Sequence, residues 1–180
     1  MLKITAIVGS VRKDSYNRFL AKTIQERYKD KLDIEIAEIR HLPFYNQDDE
    51  LDPPEPVIHF KKQVSDADGV IIITPEYNWS VPGVLKNALD WLSRVEKVLI
   101  DKPVMTAGAS PTALGTVRAQ LHLRQILSAP GVSARVLPPG GQEILVNFAD
   151  QKFDESGRLM DGATLQFLDK VMEKFIDWIG

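Results

Sequence analysis

The chain reads as an α/β domain: one parallel sheet of five strands, doubly wound, with helices on both faces. Short β-branched, apolar runs alternate five times with segments of helical period along the 180 residues. The most strand-like run, Gly69 to Thr74 (GVIIIT), is apolar throughout, as a strand covered on both faces must be. Parallel neighbours need crossover connections, and the helical segments between the runs supply them, right-handed within one sheet.

Leu2 to Val8 (LKITAIV) ends at Gly9, as a buried strand would. From Ser15 the period becomes helical: Tyr16, Phe19, Leu20, Ile24 and Tyr28 form one apolar stripe, with Ser15 as N-cap. Asp33 to Ile39 (DIEIAEI) alternates and predicts a second strand nearer a sheet edge, followed by a polar, proline-containing loop from Arg40 to Pro56. Val57 to Asp66 predicts a helix that leads into Gly69 to Thr74, and that strand stops at Pro75. The next helix opens at Ser80 or Val81, with Pro82 tolerated in its first turn; its stripe is Val84, Leu85, Ala88, Leu89, Leu92 and Val95. Lys102 to Ala107 predicts the fourth strand, before the small-residue loop GASPTALGT and a helix through about Ser128. Val132 to Leu137 predicts the fifth strand. Asp161 caps a final helix whose stripe is Leu165, Leu168, Met172, Phe175 and Ile179. No internal repeat or linker interrupts this order, so residues 1–180 are expected to form one domain, with PPGGQE (Pro138 to Glu143) as a loop inside it.

Composition narrows the chemistry. The absence of cysteine excludes disulfides, thiolate metal sites and cysteine nucleophiles, so any redox chemistry must come from a bound cofactor. A formal charge of −3 with both signs interspersed points neither to nucleic acid nor to an anionic membrane. No basic leader precedes an apolar segment and no run approaches the ~18 apolar residues of a membrane span, so a cytoplasmic location is expected. His41, His59 and His122 are scattered without ligand spacing, and no metal site is expected. The stretch GASPT around Ser110 lacks the second glycine of a hydrolase nucleophile elbow. The acidic group Asp48, Asp49, Glu50 and Asp52 reads as a solvated loop.

Ligands of open parallel sheets bind outside the carboxyl ends of the strands, where strand order reverses. That rule selects GSVRKDSYN after the first strand, PEYNWS after the third and GASPTALGT after the fourth. In the first loop, Ser10 and Ser15 bring hydroxyls, Asn17 an amide and Arg12 a planar charged fork, all beside a helix N-terminus that attracts anions. Capping alone also accounts for Ser15. The glycines of a dinucleotide fingerprint and the lysine of a Walker loop are missing, so the loop suits a terminal monophosphate, such as that of flavin mononucleotide (FMN). In the second loop, Tyr77 and Trp79 can wall a flat ring, and the backbone N–H groups of Glu76 to Asn78 can meet its polar edge. The plainer reading is a proline-terminated strand with two packed aromatics and a solvent-facing Glu76.

Taken together, GSVRKDSYN, PEYNWSVPGVLKNALDWLSR and ASPTALGTVRAQLHLRQ resemble the NADPH-dependent FMN reductases of flavodoxin-like fold, relatives of azoreductases and of quinone and chromate reductases. The resemblance implies that Ser10, Arg12, Ser15 and Asn17 hold the FMN phosphate and ribityl chain. Pro75, Glu76, Tyr77 and Asn78 then flank the ring system, and Ser110, Thr112 and Gly115 border it from the third loop. It also implies two-electron transfer from NADPH, with NADH as an alternative, through FMN to a small acceptor: quinone, azo compound, chromate or free flavin. No catalytic acid, base or nucleophile is expected from the protein. The family is further expected to form homodimers or homotetramers, for which the helix from about Val84 to Val95 is a candidate contact, although its stripe could equally be all core. One departure stands out: many relatives carry paired glycines where this chain has Gly115-Thr116, and a glycine-rich segment where it has Pro111-Thr112-Ala113. The competing function is a flavodoxin-like FMN electron carrier, or a flavin-binding module, without nicotinamide turnover of its own; such carriers tend to be strongly acidic, which this chain is not.

Overall fold

In the computed structural model, which describes residues 1–180, the run GVIII forms β3 (Gly69–Ile73), with every residue buried. β1 (Leu2–Val8) and β4 (Pro103–Ala109) pair with it on either side, and β2 (Leu32–Ala37) lies outside β1. All these pairs are parallel, in the order β2-β1-β3-β4-β5, where β5 is Arg135–Val136. The chain runs outward from β1 to β2 and then returns across β1 to β3, so strand order reverses between β1 and β3. This is the flavodoxin-like arrangement, and the reversal opens a crevice at the carboxyl ends of those two strands.

Alternation along the strands divides the core. Ile71 and Ile73 face one side with Ile4, Ala6 and Val8; there α1 (Tyr16–Arg27) and α6 (Gly162–Ile179) pack through Leu20, Ile24, Leu168, Met172 and Phe175. Val70 and Ile72 face the other, against α2 (Glu55–Ser65), α3 (Gly83–Leu92) and α4 (Val117–Leu127). Each of these Val, Leu, Ile, Met and Phe side chains contributes about 1.5–3 kcal/mol on full burial. None of the helices is long and apolar enough to cross a membrane.

The expected elements are present, with corrections at several ends. The fifth strand, expected over Val132 to Leu137, forms only at Arg135–Val136: the N–H groups of Val132 and Ser133 are given to Ala129 in the turn after the preceding helix, and beyond Leu137 the residues Pro138 and Pro139 have no N–H to give the β4 ladder. The loop then folds onto Glu143, whose carboxylate accepts the N–H groups of Gly140, Gly141 and Gln142. Partial burial opposes ionisation of Glu143, but these bonds outweigh it and hold the carboxyl below the usual range. Pairing with β4 resumes in an unexpected sixth strand, β6 (Ile144–Val146), opposite Ala107 to Ala109. A short helix not anticipated from the sequence follows, α5 (Ala149–Lys152).

The third helix begins at Gly83, not at Ser80 or Val81, because Pro82 disfavours helical backbone in the residue before it. It ends at Leu92, leaving Val95 exposed in a left-handed conformation with φ 55°, outside the stripe assigned to it. Glu50 is likewise no mere solvated acid: it accepts from the Tyr45 hydroxyl at 2.7 Å and pairs with Arg94 at 2.8 Å, fastening the 43–53 loop to the end of α3.

Two contacts between layers are sharply constrained. A side chain at Gly108 would overlap the Thr116 hydroxyl and the Thr74 carbonyl, so β4 can pass beneath the start of α4 only as glycine. Across the opposite layer, Arg27 donates two hydrogen bonds to Asp169 on α6, at 2.7 and 2.6 Å, and the Tyr28 hydroxyl donates a third at 2.6 Å. The Arg27 bonds hold the Asp169 carboxyl below the usual range, whereas burial, and then the adjacent carboxylate, push the Tyr28 phenol up.

Gly108→Ala is expected to cost about 1–3 kcal/mol, the range for overpacking a tight interior, read as a lower urea midpoint at unchanged slope. The Asp169 pair should be visible in the pH dependence of stability. A depressed folded pKa stabilises fully above the unfolded value of ~3.9 and is lost as pH falls through the folded one. Asp169→Asn should therefore lower Tm at neutral pH, and its deficit against the parent should begin to shrink only below about pH 4, closing once the parent's carboxyl is protonated in the folded state as well. A constant difference down to the acid end would show that the charge plays no part.

Candidate functional site

The first loop leaves β1 at Gly9, whose N–H still donates to Ile73 (2.8 Å), and brings Ser10 in as a buried side chain. Ser15 caps α1: its Oγ accepts from the Asn17 N–H at 3.2 Å, and its hydroxyl proton stays available. No acidic residue lies in the first turn of α1, so the positive end of the helix is not neutralised from within. Arg12 is exposed, with its guanidinium carbon 5.8 Å from the centre of the Tyr16 ring. Asn17 has a task its sequence did not announce. Its side chain is almost wholly buried, its Nδ2 donates to the Ala109 carbonyl, and its Oδ1 accepts the Ala109 N–H, both at 2.9 Å. The start of α1 is thereby tied to the end of β4.

The second loop makes a tight reversal. Tyr77 and Ser80 exchange backbone hydrogen bonds of 3.0 Å, and Asn78 and Trp79 between them both adopt positive φ, 50° and 63°. This is the two-residue hairpin geometry that usually selects Asn-Gly, here carried by Asn-Trp. Trp79 is 73% exposed and lies under the Arg118 guanidinium, 4.5 Å from its ring centre. The Ser80 hydroxyl is 2.7 Å from Nδ1 of His122. Glu76 does not face solvent: its Oε2 accepts the N–H groups of Arg118 and Ala119 at 2.9 and 3.1 Å.

The third loop is anchored at Ser110, whose N–H donates to Val146 and whose carbonyl accepts from Ala149. The hydroxyls of Ser110 and Thr112 are 3.0 Å apart, and Gly115 turns the chain into α4 at φ 60°. Thr116, at the position where the resemblance implies a second glycine, is fully buried, and its hydroxyl accepts from Gln120 at 3.1 Å. That departure is absorbed beneath the loop against Gly108 and does not project over it.

The loops meet in a cleft of about 140 Å³ at the carboxyl ends of β1, β3 and β4. Ser10, Arg12, Ser15, Asn17, Pro75, Glu76, Tyr77 and Ser110 line it. Asn78 and Thr112, both exposed, and Gly115, which is buried, lie outside. Tyr16 joins the lining, although its spacing had assigned it only to the apolar stripe of α1. Two of the larger hollows, of about 460 and 730 Å³, lie along β2 and between α2 and the 95–98 segment, away from the strand ends. They are bordered by charges already in pairs, Lys62 with Asp66 and Glu50 with Arg94. The loop cleft alone gathers hydroxyls, a guanidinium and a helix N-terminus at the strand-order reversal.

Residues 2–150 match the family model described as NADPH-dependent FMN reductase. Over 172 residues the chain is 44% identical to an NADH:(hydroxy)cinnamate reductase subunit, CrdA, of Vibrio ruber, covering 95% of this chain and 84% of that protein. It is 38% identical to a 2-hydroxy-1,4-benzoquinone reductase of a Burkholderia species, covering 99% and 96% of the two chains. Among solved structures, the flavoenzyme NAD(P)H:(acceptor) oxidoreductase FerB of Paracoccus denitrificans superposes with a TM-score of 0.89 at 34% identity, over 99% of this chain and 97% of that one. Sheet order, loop placement and these full-length matches converge: the chain belongs to the NADPH-dependent FMN reductase family.

Proposed function

We propose that this is a cytoplasmic, FMN-dependent NAD(P)H oxidoreductase that passes two electrons from NADPH, or from NADH, to a small quinone-type acceptor, using residues 1–180 as one domain. Family membership gives the reaction class and the pairing of FMN with a nicotinamide. One observation carries the site assignment: Ser10, Arg12, Ser15 and the open start of α1 converge in the loop cleft. This donor set fits a phosphate monoester, since hydroxyls, backbone N–H groups and a guanidinium all favour a dianion. When bound, FMN supplies the redox chemistry itself. The protein's part is to hold the phosphate at the first loop, present the Tyr77 side chain to the ring from the second, whose Tyr77 N–H is already given to Ser80, and bound the ring with Ser110. No side chain is assigned as acid, base or nucleophile.

The cleft is small beside the ~300–1,000 Å³ of typical small-molecule sites, and Tyr77 at its mouth is 50% exposed. A ring lying over Tyr77 is thus left with an open side, which supports a second copy of the chain as the missing wall, in a homodimer or homotetramer. The quinone acceptor is supported by the Burkholderia relative, which is named for a hydroxybenzoquinone.

Arg12→Ala should weaken FMN binding about tenfold, the lower end of the range for a hydrogen bond to a charged group at an exposed position, and leave riboflavin affinity unchanged. Fluorescence titration with both ligands reads the difference, and equal losses for the two would place the phosphate elsewhere. Adding NADPH anaerobically to the FMN-loaded protein should bleach the visible flavin absorbance, and a benzoquinone should restore it. Bound flavin that stays oxidised with either nicotinamide would instead assign the chain to electron carriage.

A further inference from the structure

α4 begins at the edge of the cleft without a cap of its own. The residue at its N-cap position is Thr116, a type suited to capping, but its side chain makes no cap hydrogen bond. The hydroxyl is drawn into the core, where Gln120 Nε2 donates to it and Gly108 leaves it room. The first turn of α4 contains no acidic residue either. The N–H groups left without a helical partner at this start are instead met by Glu76, 42 residues earlier in the chain than Arg118, through the bonds to Arg118 and Ala119. Its other oxygen lies 3.7 Å from the Arg118 guanidinium, and the Glu76 side chain is only 13% exposed. The stacking of Arg118 on Trp79 and the contact of His122 with Ser80 fasten the rest of the same hairpin to the same two turns of α4.

Resting on the FMN reading above, we propose that the Glu76 side chain is a positioning residue: it locks the second loop to α4 and sets the charge beside the ring by cancelling the positive end of that helix. The two effects share one cause. A carboxylate at a helix start satisfies donors the helix itself leaves unpaired, and it offsets the roughly half positive charge those donors carry. Glu76 itself lines the cleft, so its charge is felt there, and Arg118 is its counter-charge. α3, which follows the same loop, also starts with no side-chain cap and no acid in its first turn, and nothing comparable covers it. The protein therefore leaves one helix start open and closes the neighbouring one. Electrons added to a bound ring meet less positive potential from α4 than its backbone alone would give.

The test compares Glu76→Gln, Arg118→Gln and Glu76→Ala with the parent. Glu76→Gln keeps shape and one acceptor while removing the charge, and should shift the midpoint potential of the bound flavin to more positive values. Arg118→Gln removes the counter-charge and should shift it the opposite way. A general loosening of the loop would move both variants in the same direction, so shifts of one sign, or no shift in Glu76→Gln, overturn the electrostatic role. In the cofactor-free protein, Glu76→Ala should accelerate amide hydrogen exchange at Arg118 and Ala119 at least tenfold; unchanged protection there overturns the locking role. The exchange measurement needs no flavin. A parent protein that fails to bind FMN would therefore refute the cofactor reading and leave this second arm standing.

Discussion

Two hydrogen bonds between the Asn17 side chain and the main chain of Ala109 hold the functional end of this molecule together. They act as one rung of a ladder between elements that are not strands of one pair, joining the first turn of α1 to the last residue of β4. Both partners are buried, so neither can exchange the bond for one with water, and breaking it leaves two backbone groups unsatisfied at ~1–3 kcal/mol each. Glu76 repeats the arrangement from the other side of β3. Side chains of the first and second loops thus both reach backbone flanking the third, and the three loops are tied to one another. A pocket assembled from three separate connections would otherwise suffer the mobility usual for loops.

Behind the third loop the packing is polar where a sandwich of sheet and helix is normally apolar. Thr106 donates to Gln120, Gln120 donates to Thr116 and to the Ile144 carbonyl, and Arg124 reaches Thr106 and the Leu137 carbonyl. Every buried side-chain polar atom has a partner, which is the condition under which such a network rigidifies a core and does not weaken it. Desolvation pulls the Arg124 pKa down, and the two carbonyl and hydroxyl acceptors keep its guanidinium in place. The network spans the interrupted outer strand at both ends, from Leu137 before the proline loop to Ile144 after it. It gives β4 a lateral partner where the sheet itself is broken.

Much of this was legible in the residues. GVIIIT could only be an interior strand, the stripe from Tyr16 to Tyr28 could only be a helix lying on it, and the strand-order rule pointed to the loops that do meet. Local pattern fails where the partner is remote. Nothing near Glu76 shows that it caps a helix starting 41 positions later, at Val117, and nothing near Asn17 reveals a mate at Ala109. Tyr16 was hidden by a genuine ambiguity, since one side chain can serve both the apolar stripe and the cleft. The broken fifth strand was foreshadowed by Pro138 and Pro139, but the return of the chain to β4 as β6 depends on Glu143 gathering the intervening N–H groups, a tertiary fact.

That broken strand bears on how the sheet avoids open-ended pairing at its margins. Beyond β4 the sheet offers a two-residue segment, a pair of prolines and a three-residue segment, with no continuous row of free donors and acceptors. At the opposite margin, β2 presents the exposed charges of Asp33 and Glu35. A second sheet approaching edge-on finds nothing to zip against on one side and a like-charged fence on the other, so both margins resist the strand-to-strand growth that seeds fibrils.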